Sequence, residues 1–80
     1  MRRYPDDDGE LRLKEGDYGI NPKDNVWYCR PPGGHMGSLR NHEVTEHEDG
    51  TTITVSPSIL IDGGYWQYHG YLERGVWREC

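Results

Sequence analysis

The chain has 80 residues, a formal net charge of −5, 32% hydrophobic residues and no Phe or Ala. At that length it makes one domain with a marginal core, since such a chain buries roughly 60% of its unfolded surface at most. The acidic balance disfavours a nucleic-acid backbone as partner, because that contact is chiefly cationic, and the lack of an apolar run near about 18 residues excludes a membrane-spanning helix.

Leu, Ile and Val together number only 13, a supply that borders on disorder. Six Tyr and three Trp argue the other way, because solvated tails rarely carry such aromatic surface. The expectation is a folded domain with an aromatic core, reinforced by a partner, a metal or self-association.

Met1-Arg2-Arg3-Tyr4-Pro5 runs into acid rather than into an apolar segment, so no signal peptide is expected and the chain is assigned to the cytoplasm. There Cys29 and Cys80 stay as thiols, or one serves as a metal ligand, rather than forming a disulfide. Residues 1–10 read as a mobile segment. Asp6-Asp7-Asp8-Gly9 fails the calcium-loop pattern, whose first acidic position would fall on Tyr4, and is a solvated turn. Glu10 to Lys14 alternates, with Leu11 and Leu13 apolar, which predicts a short strand. Glu15-Gly16-Asp17 and Asn21-Pro22-Lys23-Asp24 are turns.

Val26 to Arg30 has strand composition. Pro31-Pro32-Gly33-Gly34-His35-Met36-Gly37 is an exposed loop, since its prolines lack donors and its glycines permit positive φ. Val44 to Val55 reads as a hairpin around Asp49-Gly50, with Val44 opposite Val55 and Glu46 opposite Ile53. That register gathers Val44, Ile53 and Val55 on one face and leaves His47 exposed.

Ser56-Pro57-Ser58 is expected to break the strand. Ile59-Leu60-Ile61 is continuously apolar, like a strand buried on both faces. Asp62-Gly63-Gly64 turns the chain. Tyr65 to Leu72 then alternates, placing Trp66, Tyr68 and Leu72 on one side and Tyr65, Gln67, His69 and Tyr71 on the other. Glu73-Arg74-Gly75 fits a three-residue hairpin loop, and Val76-Trp77-Arg78 closes the sheet. No stretch of ten residues has helical periodicity. The predicted fold is a single all-β, mostly antiparallel domain, a partly open barrel or sandwich with a loop-rich N-terminal part.

Three groups of residues carry candidate chemistry. Cys29, His35, His42 and His69 are metal ligands by type, but no paired Cys-x-x-Cys spacing supports them, and neither a structural zinc nor any cofactor is expected. Tyr65, Trp66, Tyr68, Tyr71 and Trp77 are dense enough for a stacking platform, or for a core short of aliphatic residues. Ser58 and His69 form the third group. A serine hydroxyl is a weak nucleophile until an imidazole takes its proton, and pairing of residues 59–61 with 65–72 would bring the two together.

Thr54-Val55-Ser56-Pro57-Ser58-Ile59 and His69-Gly70-Tyr71-Leu72-Glu73-Arg74-Gly75-Val76-Trp77 resemble the domain-of-unknown-function 6527 family. Its pattern is a Pro-Ser-Ile segment, a Cys-His or Trp-His with a following aromatic, and a Gly turn before Trp. The resemblance spans about residues 26 to 80, including Trp27, Cys29 and the Gly/His loop. Relatives occur in actinobacteriophages and beside bacterial ubiquitin-like conjugation operons, where they are similar to deubiquitinases of the serine-protease type. The resemblance implies Ser58 as nucleophile and His69 as base. Where some relatives carry the cysteines of a zinc ribbon, this chain has Tyr68.

Two functions follow as expectations. The first is a Ser/His hydrolase that processes the extended tail of a small ubiquitin-like protein. Asp62 is the candidate to orient His69, backbone N–H groups near Ser58 or Gly63 are candidates for the oxyanion site, and Trp66, Tyr68, Tyr71, Gly63 and Gly64 would line the substrate. The second is a non-catalytic phage protein that binds a host or virion protein through its aromatic face. Neither involves nucleic acid or membrane.

Overall fold

The computed structural model describes residues 1–80. It is all-β, in two antiparallel sheets that do not close into a barrel. The first sheet has the order β1 (Tyr18–Asn21), β2 (Val26–Cys29), β3 (Gly37–Ser38); the second has the order β4 (Glu43–Glu46), β5 (Ile53–Asp62), β6 (Gln67–Glu73), β7 (Val76–Glu79). Sheet order therefore equals chain order throughout. Every connection is local, as short Gly, Asn and Asp turns dictate.

The Val44–Val55 hairpin has the register expected from its sequence, with Val44 opposite Val55 and Glu46 opposite Ile53. Its loop is locked by Asp49, whose carboxyl is held at about 2 by the Thr51 and Thr52 amides and the Thr52 hydroxyl. Along β6 burial alternates strictly, with Tyr68, Gly70 and Leu72 inward and Gln67, His69, Tyr71 and Glu73 outward.

The core lies between the sheets. Tyr18, Cys29, Leu39, Ile53, Val55, Ile59 and Leu72 are buried together, with Trp27, Val44, Ile61 and Trp77 packed against them. Each fully buried aliphatic side chain contributes about 1.5–3 kcal/mol. Polar contacts join the two sheets. The Trp77 indole N–H donates to the Gly16 carbonyl at 2.9 Å, and the Tyr18 hydroxyl donates to the Thr51 carbonyl at 3.1 Å. Arg2 pairs with Glu46 at 2.6 Å while its guanidinium lies over the Tyr4 and Trp27 rings. The first residues also touch the first sheet through the backbone, Arg3 N–H donating to the Tyr18 carbonyl at 2.8 Å.

Four expectations are corrected. Leu11 and Leu13 are buried as the alternation implied, but residues 10–14 have no ladder partner and form no strand. Asn21, read as the start of a turn, instead ends a strand, Tyr18–Asn21, which pairs along its whole length with Val26–Cys29. Ser56-Pro57-Ser58 does not end a strand; β5 runs through it with a cis Ser56–Pro57 bond and a register shift. Ile59-Leu60-Ile61 is not buried on both faces, since Ile59 is 1% exposed and Leu60 63%. No helix of the structure is long and apolar enough to cross a membrane.

Candidate functional site

The register of β5 against β6 creates the site. Val55 pairs with Leu72 and Ile59 with Gly70, so β5 takes four steps where β6 takes two. Two extra residues are thus accommodated in a bulge that includes Pro57, whose missing N–H is tolerated there. A bulge of this kind re-aims a side chain, and here it turns Ser58 toward the neighbouring strand.

His69 sits opposite Leu60 on β6. Its carbonyl accepts the Cys80 N–H at 2.8 Å, so its backbone is tied toward β7 while its ring stands on the outer face. Ser58 Oγ and His69 Nε2 are 3.2 Å apart. Ser58 is half-buried and His69 is exposed. The structure therefore brings together the two side chains that the turn and strand pattern had suggested as neighbours.

The other expected members are placed differently. Asp62 pairs with Gln67, one diagonal step from His69, and its carboxylate accepts the Gly64 N–H at 3.0 Å. It stabilises the turn, an ordinary task for Asp, and makes no hydrogen bond to His69. The Gly63 N–H donates to the Trp66 carbonyl at 2.7 Å. Both glycine amides are thus committed inside the hairpin. Trp66 lies flat against the loop between β2 and β3: a Cβ on Gly34 would fall inside its ring, and His35 meets it edge-on at 5.5 Å. Tyr68 is 4% exposed and packs edge-on against Trp77 at 5.5 Å. Of the expected aromatic lining residues, only Tyr71 faces outward beside His69.

Sequence reasoning missed the role of His42. Its Nε2 lies 3.1 Å from the Ser58 carbonyl oxygen. Nothing in the spacing signalled a contact across 16 residues between a turn and a bulge. As metal ligands the histidines and Cys29 do not converge, and no three His, Cys, Asp or Glu side chains form a group that could hold an ion. Cys29 lies in the core, where burial pushes its thiol up to about 12.

Further along the same outer face runs an open groove of about 570 Å³, lined by Thr45, His47, Thr54, Glu73, Arg74, Val76 and Arg78. Neither Ser58 nor His69 lines it or any of the other three clefts. The pair stands on an open sheet surface rather than in a cleft.

No protein-family model, curated protein or solved structure matches this chain.

Proposed function

We propose that the protein is a Ser/His hydrolase acting on an extended polypeptide segment, of the kind found as the tail of a small ubiquitin-like protein. The observation that carries this reading is the 3.2 Å approach of Ser58 Oγ to His69 Nε2. The resemblance of residues 54–59 and 69–77 to the deubiquitinase-like family supports the choice of substrate.

In the proposed reaction His69 Nε2 takes the hydroxyl proton while Ser58 Oγ attacks the substrate carbonyl carbon. The C–N bond then breaks and the leaving amine departs with that proton. Water, deprotonated by the same nitrogen, cleaves the resulting ester and restores Ser58. The oxyanion would be met by amides flanking Ser58, because those of Gly63 and Gly64 are already donated. Asp62 is not at Nδ1, so the pair works as a dyad. Loss of the orienting acid costs a triad enzyme about 10⁴-fold, which makes slow turnover the expected behaviour. A fluorophosphonate probe should label wild type at Ser58 and spare Ser58→Ala and His69→Ala. Equal labelling of wild type and Ser58→Ala would remove the reading.

A second reading has its own observation. Leu60 is 63% exposed and Tyr71 44%, both beside His69 on the outer face, and Tyr65 in the hairpin turn is fully exposed. A non-catalytic protein that binds a host or virion protein would use this surface. In that case Leu60→Asp with Tyr71→Ala abolishes binding of the partner, and Ser58→Ala leaves it intact.

A further inference from the structure

Ser58 lies beyond the end of β4, whose last pairing is Glu43 with Ser56. Its carbonyl therefore has no strand to accept from on that side. His42 immediately precedes Glu43, and its Nε2 meets that carbonyl at 3.1 Å. The ring continues the ladder by one rung, where the two-residue bulge has carried the β5 backbone out of register. A carbonyl oxygen only accepts, so Nε2 must carry the proton. His42 Nδ1 is buried and meets no hydrogen-bond partner within the protein. The ring also borders the small open cleft lined by Trp27, Leu39 and Val44. Its side chain thus makes one polar contact, and that contact is with the serine whose hydroxyl faces His69.

We propose that His42 is a positioning residue for Ser58: its Nε2–H holds the bulge so that the serine hydroxyl stays on His69. The inference rests on the Ser58/His69 reading for its catalytic meaning, but its geometry is testable without turnover. Misplacing a reacting group by about 1 Å can cost roughly 100-fold in rate. A tether on the nucleophile's own carbonyl controls displacements of that size.

The test uses the full chain as wild type, Ser58→Ala, His42→Met and His42→Gln. Methionine fills the apolar space without an N–H, whereas glutamine retains a donor. Long-range ¹H–¹⁵N correlation spectra should show His42 as the Nε2–H tautomer. Ser58→Ala should shift the His69 Nε2 signal, His42→Met should reproduce most of that shift, and His42→Gln should restore the wild-type signal. Fluorophosphonate labelling of Ser58 should slow about tenfold or more in His42→Met and recover in His42→Gln. A wild-type His42 in the Nδ1–H form overturns the proposal, and this measurement decides the matter if His42→Met does not fold. So does a folded His42→Met with an unchanged His69 signal. If wild type takes no label at all, the hydrolase reading is lost while the spectra still decide the tether.

Discussion

The Asp17 carboxylate and the Arg3 guanidinium meet at 2.6 Å, with the acid only 4% exposed. Burial by itself raises the Asp17 carboxyl; the Arg3 hydrogen bond, the Lys14 amide and the nearby positive charge outweigh it and hold the group below its usual range.

Asp17→Asn should cost about 1–2 kcal/mol, discounting the charged hydrogen bond because Arg3 is 39% exposed. The sign of the pH effect follows from the lowered folded value. This stabilisation is fully present above the unfolded carboxyl's pKa of about 3.9 and is lost as pH falls through the folded value. Thermal melts of wild type and Asp17→Asn between neutral and acid pH should converge in that window. Parallel curves would show that the carboxylate contributes nothing as a charge.

Ser58→Ala and His69→Ala should each abolish probe labelling, and the double variant should be no worse than either, because the two side chains act as one unit. His69 is on the open face, so its removal should change stability by no more than about 0.5 kcal/mol. Additive losses, or a large drop in melting temperature for His69→Ala, would mark a structural histidine.

Tyr68→Phe should leave stability unchanged or raise it by up to about 1 kcal/mol. The hydroxyl is buried without a partner in the protein, and an unsatisfied polar group costs more than its removal. Burial first, and then the charges of Glu79, Cys80 and Cys29, raise the phenol. A binding role predicts a different result: lost labelling or partner affinity with an intact melt. Denaturant unfolding together with the labelling assay separates the two.

Cys80 is exposed and Cys29 is buried. With its thiol at about 12, Cys29 stays protonated and enclosed at mildly alkaline pH. A thiol reagent at pH 8 should modify only Cys80 in the folded protein and both cysteines in denaturant, which intact-mass spectrometry reads directly. Rapid double modification without denaturant would show that the core opens easily.

Much of the second sheet was legible because its signals are local. Asp49-Gly50 fixed a hairpin whose register put Val44, Ile53 and Val55 on one face, and the period of two from Tyr65 to Leu72 gave the inward and outward sides of β6. The meeting of Ser58 and His69 was expected from the pairing of residues 59–61 with 65–72, whereas the bulge that turns Ser58 toward it was not. What stayed hidden depended on partners remote in sequence. Leu11 and Leu13 alternate like a strand, yet a strand exists only where a ladder partner arrives. Tyr18–Asn21 looks like the edge of a turn until Val26–Cys29 pairs with it. Tyr68 and Trp66 read as core or as platform, with the scarcity of aliphatic residues favouring the core, and Tyr68 is buried while Trp66 is half-buried. His42 reaches Ser58 because a bulge and a strand end coincide, which no spacing rule encodes.

The indole of Trp77 holds the Gly16 carbonyl of the turn before β1, and Trp66 lies on Gly34 in the loop between β2 and β3. Trp77 is on β7 and Trp66 immediately precedes β6, and each half-buried ring rests on a loop next to the first sheet. Tryptophan emission in this protein therefore reports the docking of one sheet on the other. Far-ultraviolet dichroism reports the strands themselves. A change that loosened the sheets without melting them would redshift the emission and leave the dichroism in place, so each variant proposed above can be placed on one side of that divide from two optical scans.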